Sequence, residues 1–327
     1  MSMETGLPYL HALELPTPFP VGPITVYLAD APCEPLTLID TGPRTADTLS
    51  ALEGALAARG HNPAELERIV LTHAHVDHFG LAGDLVGRSG ASVWTHPWNV
   101  AEVGPFDGER ERRVNFYRAL LQQAAVPTEM THAVDWVTRG MTAFARPVAV
   151  THSVNEGDSL VLAGLTWQVL HTPGHARGLI CLYEPASRTL ISSDHLLAEI
   201  SSNPVVEPPL PGQTERPHSL ALYQDSLRRI AALPIDRALP GHGPRIDDVP
   251  GLVERRLAFH RQRMGRILET LDDGATTWDL VQALFPSRSS LDTFLAVSEV
   301  IGHLDLLELE GRIIAQERGG ILHWSRA

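Results

Sequence analysis

The sequence contains no lysine and only two cysteines among its 327 residues. All 26 basic residues are arginine, which we attribute to the base composition of the source genome and not to function. Cys33 and Cys181 are too few for a disulfide scaffold, so free thiols in a reducing compartment are expected. No apolar run is long enough for a membrane span, and the first twenty residues do not have the basic and apolar regions of a secretory signal. These absences predict a cytoplasmic protein.

Positive charge is scarce relative to negative charge. The chain has 39 acidic residues and a formal net charge of −13, which disfavours nonspecific attraction to a phosphate backbone and makes nucleic acid a poor candidate partner. The hydrophobic content of 43% and the charged content of 20% are typical of a globular protein. The length suits one large domain, with or without a small second one. The sequence also allows the chain to form a homodimer.

Short strand-like runs and helical patterns alternate over residues 1–250. The first strand-like runs are residues 24–30, 36–40, 68–72 and 91–96. A second set follows at residues 159–164, 165–172, 178–184 and 189–194. This alternation predicts one layered α/β domain over residues 1–250.

Residues 98–150 interrupt the alternation with two helical patterns. Apolar residues recur there at helical spacing: Met130, Val134, Val137, Met141 and Phe144. One interpretation is a stripe that packs on the core. The other is a lid over a site, with Met130 and Met141 in contact with substrate. Both stay open at this point.

The character of the chain changes after Pro250. Helical patterns cover about residues 251–272, 277–285 and 291–310, and two strand-like runs follow. Three helices and a hairpin predict a small winged-helix-like domain over residues 251–327.

Seven candidate metal ligands lie at strand ends or in tight turns. Four of them fall in the segment LTHAHVDHFG, residues 71–80, and the others follow in TPGH, ISSD and PGHG. Histidine and aspartate without cysteine suit zinc, with iron or manganese as alternatives. Seven ligands are too many for one tetrahedral ion and about right for two ions that share a carboxylate. The candidates are His73, His75, Asp77, His78, His175, Asp194 and His242.

Together with LIDTG (38–42), these motifs resemble the successive motifs of the metallo-β-lactamase fold superfamily. The resemblance covers residues 24–244 and implies a four-layer αββα sandwich with two metal ions at one edge of its two sheets. It implies that His73, His75 and His175 hold the first ion. Asp77, His78 and His242 would hold the second, Asp194 would bridge both, and Asp40 would support the metal loop. The C-terminal segment is similar to the winged-helix tail of lactamase-like, glyoxalase II-like hydrolases, a subset that includes endoribonucleases and acyl-carrier thioesterases.

The implied chemistry is hydrolysis by a hydroxide held between two metal ions, with Asp77 orienting it and accepting its proton. We expect the substrate to be a small acyl ester, thioester or lactone, and we regard Arg177 and His195 as candidate substrate contacts. A metal-dependent endoribonuclease is the alternative.

A non-catalytic DNA-binding regulator is a third interpretation, since five arginines lie within residues 255–266. Residues 251–327 nevertheless hold nine arginines against eleven acidic residues, which favours a structural role for that helix.

Overall fold

The computed structural model describes residues 3–272, 274–286 and 290–327. Eight of these are described by their backbone only: Phe106, Asp107, Ala133, Trp136, Val137, Thr138, Ser290 and Leu291. The described chain forms ten α-helices: α1 (Ala46–Ala57), α2 (Val76–Phe79), α3 (Ala82–Ser89), α4 (Val100–Val103), α5 (Phe106–Gln123), α6 (Thr128–Met141), α7 (Ser219–Ala231), α8 (Val249–Thr270), α9 (Thr277–Leu284) and α10 (Ser290–Leu309).

Two mixed β-sheets form the centre of the molecule. The first has six strands in the order β1 to β6, and its last four strands are parallel. These strands are β1 (Leu10–Leu15), β2 (Ile24–Ala29), β3 (Thr37–Ile39), β4 (Arg68–Val70), β5 (Ser92–Thr95) and β6 (His152–Ser153). The second has the order β11-β10-β9-β8-β7. Its strands are β7 (Ser159–Leu162), β8 (Leu165–His171), β9 (Ile180–Glu184), β10 (Thr189–Ser193) and β11 (Arg237–Pro240).

The two sheets pack face to face. One buried cluster combines Tyr27 and Val70 of the first sheet with Trp167, Ile180 and Leu239 of the second. Strands β2, β9 and β10 are buried at every residue because both of their faces are covered.

Helices cover the outer face of each sheet. Leu52 of α1 and Leu85 of α3 pack on the first sheet, whereas Tyr223 of α7 and Val253 of α8 pack on the second. Helix α1 begins where the Thr45 side chain accepts a hydrogen bond from the Thr48 backbone N–H. The layers therefore run helix, sheet, sheet, helix, and the predicted αββα sandwich is confirmed.

The last part of the chain contains α8, α9, α10 and a third sheet of strand order β12-β14-β13. Its strands are β12 (Ala275–Thr276), β13 (Ile313–Arg318) and β14 (Ile321–Arg326). The Thr276 and Asp279 side chains form a capping box that begins α9. Strand β12 has no clear sequence signal, because two residues are too few to show an alternating pattern. The winged-helix assignment and the boundary at residue 250 stay predictions.

The helices of residues 98–150 pack against that last part of the chain. Tyr117 and Leu121 of α5 belong to the same buried cluster as Val281, Val300 and Trp324. The Trp278 backbone N–H also donates to the Ala124 carbonyl at 2.9 Å. The apolar face of α5 is therefore part of a core shared with the C-terminal helices.

Candidate metal centre

The seven predicted ligands are brought together at one edge of the sandwich. His73 and His75 follow β4, and Asp77 and His78 lie on α2 directly after them. The other three follow β8, β10 and β11 of the second sheet: His175, Asp194 and His242. The Gly174 backbone packs closely on α7, since a Cβ there would lie 2.4 Å from the Tyr223 Cα. The turn that carries His175 therefore depends on glycine.

Three groups of three ligand atoms lie within this cluster; two share no residue, and the third, His73, His78 and Asp194, overlaps both. His73, His75 and His175 form the first, and the His75 Nδ1 lies 3.0 Å from the His175 Nε2. Two imidazole nitrogens bound to one tetrahedral ion at 2.0–2.1 Å would lie about 3.3 Å apart. The observed spacing is therefore close to that of a shared ion.

The second group consists of Asp77, His78 and His242. The Asp77 Oδ2 lies 3.4 Å from the His242 Nε2. The carboxylate of Asp194 faces both groups: its Oδ1 is 3.4 Å from the His78 Nε2, and its Oδ2 is 3.6 Å from the His175 Nε2. Asp194 is thus placed to contact ions in both groups.

Several buried atoms in this cluster have no hydrogen-bond partner among the described residues. They are the Nε2 atoms of His73, His78 and His242 and the Oδ1 of Asp194. Buried polar groups are normally satisfied, and leaving them unpaired costs about 1–3 kcal/mol each. These three imidazole nitrogens and the carboxylate oxygen belong to groups whose ligand atoms lie within 4.8 Å of one another. Such a set of donors is suited to binding divalent metal ions.

The opposite nitrogen of three of the five rings is held by a neighbouring oxygen. The Nδ1 of His78 lies 2.8 Å from the Asp40 Oδ2. His175 Nδ1 faces the Asn203 carbonyl at 3.0 Å, and His242 Nδ1 faces the Pro23 carbonyl at 2.8 Å. Such contacts place the N–H on Nδ1 and leave Nε2 with its lone pair, as a metal ligand requires.

Asp40 also fixes the loop that carries the first histidines, as predicted. It accepts hydrogen bonds from the backbone N–H and hydroxyl of Thr72, at 2.8 and 2.7 Å. The Thr72 hydroxyl is also 2.7 Å from the Ser193 hydroxyl. These contacts join the first sheet to the second beside the ligands.

The local electrostatics favour ionised carboxylates at this site. Burial raises the pKa of Asp77, but the neighbouring rings of His242 and His78 lower it to about 2. Burial also raises the pKa of Asp194, and the neighbouring His78 and His242 reverse this effect and lower it. Burial and then His175 lower the pKa of His75 to about 3, so its ring is neutral and able to bind a cation.

The sequence and the fold can be compared with those of known proteins at this point. The family described as the metallo-beta-lactamase superfamily matches residues 19–242. The chain belongs to this superfamily. It is 36% identical over 315 residues to the "Probable metallo-hydrolase YqjP" of Bacillus subtilis, which covers 96% of both chains. This chain is a metal-dependent hydrolase of the metallo-beta-lactamase superfamily.

Two further likenesses extend this result. The crystal structure of a metallo-beta-lactamase family protein from Thermus thermophilus superposes with a TM-score of 0.83 at 29% identity, and covers 98% of this chain and 99% of that one. An "Atrochrysone carboxyl ACP thioesterase" of Aspergillus fumigatus is 23% identical over 237 residues, 72% of this chain and 41% of the relative.

Arg177 lies in a buried network of ion pairs. Its side chain is 4% exposed, and its Nε is 3.3 Å from Glu102 and 3.4 Å from Glu207. Arg113 contacts the same two carboxylates, at 2.6 and 3.8 Å. The Nε and Nη2 of Arg177 nevertheless have no hydrogen-bond partner among the described residues, and a contact with substrate stays a prediction for this residue.

His195 is completely buried beside the Tyr223 ring. Neither of its ring nitrogens has a hydrogen-bond partner among the described residues. Burial and then His175 lower the pKa of His195 to about 3. A contact with substrate stays a prediction for this residue.

The two methionines predicted to contact substrate lie in different surroundings. Met130 is partly buried against the core that α5 and α6 share with the C-terminal helices. Met141 is half-buried at the end of α6, and the side chain of Val137 lies outside the described residues. For Met130, the core interpretation of the stripe is favoured over the lid.

A separate group of candidate ligands lies between α8 and α10. His260, Glu299 and His303 have ligand atoms within 4.8 Å of one another. The His303 Nδ1 donates to the Glu299 carbonyl at 2.7 Å, so its Nε2 can accept from the His260 Nδ1 at 3.2 Å. These hydrogen bonds use both nitrogens of His303 and the Nδ1 of His260, whereas the buried His260 Nε2 has no hydrogen-bond partner among the described residues.

The Asn203 and Pro23 carbonyls were not predicted from the sequence. Every residue has a backbone carbonyl, so no residue type indicates which one will accept a hydrogen bond.

The first glycine of PGHG, Gly241, in contrast indicates from its residue type alone that the backbone lies close to other atoms. A Cβ on Gly241 would lie 2.4 Å from the Asp194 Oδ1 and 2.9 Å from the His78 Cε1.

Gly241→Ala is therefore expected to displace two ligands and lower the bound metal to less than half of the wild-type content. Elemental analysis of purified protein would measure it. Gly87→Ala is the matched control, because a Cβ on Gly87 of α3 meets nothing within 4 Å. A Gly241→Ala protein with the full metal content would contradict this account of the turn.

Proposed function

We propose that the chain is a binuclear hydrolase that cleaves an ester, thioester or lactone bond of a small acyl substrate. The observation that carries the proposal is the position of Asp194 between the two groups of ligands, at 3.4 Å from the His78 Nε2 and 3.6 Å from the His175 Nε2. A carboxylate in that position suits a bridge between two ions. We propose zinc as the metal, since the ligands are imidazole and carboxylate.

When bound, two divalent ions supply Lewis acidity and lower the pKa of a coordinated water towards neutrality. The residues of the chain then have distinct roles. His73, His75 and His175 would hold one ion, and Asp77, His78 and His242 the other. The oxygens of Asp40, Asn203 and Pro23 keep the imidazoles of His78, His175 and His242 in the tautomer that binds.

Asp77 is proposed to act as the base. Its side chain is 15% exposed, against 2% for His242 and 7% for Asp194, so its carboxylate is more open to water and substrate than theirs. With a pKa of about 2 it is ionised at neutral pH. An ionised Oδ atom can orient the attacking water and accept its proton, which is later available to the leaving group.

Two features support an acyl substrate over RNA. Arg177, the arginine nearest to the ligands in sequence, contacts Glu102 and Glu207, so its charge is already compensated. Arg256 on α8 donates to the Leu197 and Ile200 carbonyls, which makes it a brace for the loop after Asp194. The thioesterase name of the A. fumigatus relative is consistent with this substrate class.

The decisive experiment combines metal analysis with a substrate panel. Protein grown with zinc should contain about two ions per chain. It should hydrolyse p-nitrophenyl acetate, the acetyl thioester of N-acetylcysteamine or a small lactone faster than bis-p-nitrophenyl phosphate or single-stranded RNA. Asp194→Ala, which removes the proposed bridge, should lose both metal and activity.

Two outcomes would contradict the proposal. One ion or fewer per chain after growth with excess metal would refute the binuclear site. Efficient RNA cleavage with no acyl hydrolysis would favour the endoribonuclease instead.

A further inference from the structure

The turn that carries His175 is braced by one short segment of the loop after β10. Asn203 and Glu207 are the first and last residues of that segment, residues 203–207. The Asn203 carbonyl accepts a hydrogen bond from the His175 Nδ1 at 3.0 Å. The Glu207 Oε2 accepts a second one from the backbone N–H of Arg177 at 2.7 Å. The segment and the turn are therefore joined twice.

The hydrogen bond of Glu207 lies in a dry environment. Glu207 is 2% exposed and Arg177 is 4% exposed. Within the part of the chain that the structure describes, the backbone N–H of Arg177 has no other acceptor. A buried N–H that loses its acceptor cannot turn to water instead. The turn would therefore have to move if the Glu207 oxygen were removed.

The turn is fixed by close packing at both of its ends. The Gly174 backbone packs on α7, and a Cβ on Gly178 would collide with the side-chain amide of Asn99. The Asn99 Nδ2 also donates to the Gly178 carbonyl at 2.9 Å. Movement that follows the loss of the brace is thus confined to the residues in between, which include His175.

The bracing segment is itself anchored on helices outside the site. Val206 is 1% exposed and belongs to the core shared with the C-terminal helices. Its backbone N–H donates to the Ser298 hydroxyl of α10 at 3.4 Å. Arg113 of α5 lies 3.8 Å from the Glu207 Oε1 on the other side. The Glu207 carboxylate is therefore a fixed point to which the turn is tied.

The charges around Glu207 compensate one another. Arg113 and Arg177 both contact Glu102 and Glu207, so two positive and two negative charges share one buried network. Glu102 has the same place in this network, but among the described residues it accepts no hydrogen bond from the backbone of the turn. The two glutamates differ in that contact.

We propose that Glu207 is a positioning residue of the metal centre. Its hydrogen bond to the Arg177 N–H keeps the turn in place, so that the His175 Nδ1 meets the Asn203 carbonyl and the Nε2 stays beside the His75 Nδ1. Groups that orient metal ligands in this way typically raise the affinity for the ion 10- to 100-fold. The inference rests on the proposed function only in that His175 binds a metal ion, and it is independent of the substrate.

Substitutions separate the hydrogen bond of Glu207 from its charge. Glu207→Gln removes the charge but keeps an acceptor oxygen at the same reach, so the zinc affinity should stay within about 3-fold of wild type. Glu207→Asp keeps the charge, but its shorter side chain does not reach the Arg177 N–H, and the affinity should fall about 10-fold. Glu102→Gln is the matched control, because it removes the same charge from the network and should also stay within about 3-fold.

The measurement follows the His175 ring itself by NMR. The zinc-loaded protein carries isotope-labelled histidine, and the His175 signals are those missing from His175→Ala. Competition with a chelator then gives the zinc affinity of the site that contains His175. In the same samples the His175 Nδ1–H should exchange with water about 10-fold faster in Glu207→Asp than in the other proteins, since its hydrogen bond to Asn203 is weakened. A general loss of stability would lower the unfolding temperature without this selective change.

The possible results distinguish the two proposals. Weaker zinc binding and faster exchange confined to Glu207→Asp would support the positioning role, whichever substrate class is cleaved. Unchanged affinity in Glu207→Asp would overturn it. A 10-fold loss in Glu207→Gln would also overturn it, since that loss would come from the charge, and this comparison does not depend on the folding of Glu207→Asp. Wild-type His175 signals that do not respond to zinc would overturn both the positioning role and the metal centre.

Discussion

Asp77→Asn is expected to lower the turnover of acyl substrates by about 10²–10⁴-fold while the protein keeps at least one metal ion. The amide oxygen can still contact a metal ion, but the neutral side chain cannot accept the proton of the attacking water. The Asp77 carboxylate is ionised at neutral pH, with a pKa of about 2, so the substitution removes a charge that the wild-type enzyme has. Steady-state kinetics and elemental analysis of the same preparation would measure both effects.

Asp47→Asn is the matched control for this substitution. Asp47 is exposed in the first turn of α1, away from the ligands, so the same chemical change should leave turnover within about two-fold of wild type. Unchanged turnover in Asp77→Asn, with full metal content, would rule out a role for Asp77 as the base.

Removal of the metal should lower the stability of the chain substantially. Without a cation the Nε2 atoms of His73, His78 and His242 and the Oδ1 of Asp194 are buried with no hydrogen-bond partner among the described residues, and the imidazole and carboxylate groups lose the ion that they would share. At a free metal concentration about a thousand times Kd, binding contributes about 4 kcal/mol to the free energy of unfolding. Thermal unfolding should therefore begin roughly 6 °C lower after exhaustive chelation.

The control for chelation is the Asp194→Ala variant, which lacks the proposed bridge. Its unfolding temperature should respond much less to the chelator than that of the wild type. Equal responses in the two proteins would mean that the chelator acts elsewhere, and an unchanged wild-type temperature would contradict a metal ion in this site.

The sequence by itself determined the candidate ligands and the layered fold. Four ligands lie within six residues, at the end of a β-branched run, and the other three follow predicted strands. Because the ends of neighbouring strands meet at one edge of a sheet, such ligands converge whatever the intervening loops do. The same reasoning predicted the helices and strands that build the sandwich, since their hydrophobic periodicity is local.

Only the tertiary structure decided which side chains the predicted site and surface residues contact. Arg177 looked like a substrate contact from its place beside His175, but Glu102 and Glu207 reach it from 75 and 30 residues away in the sequence. The stripe of α6 could have been a lid, yet Val134 is buried and Met130 partly buried in the core shared with the C-terminal helices. A helical stripe specifies that a face will be buried and does not specify against what.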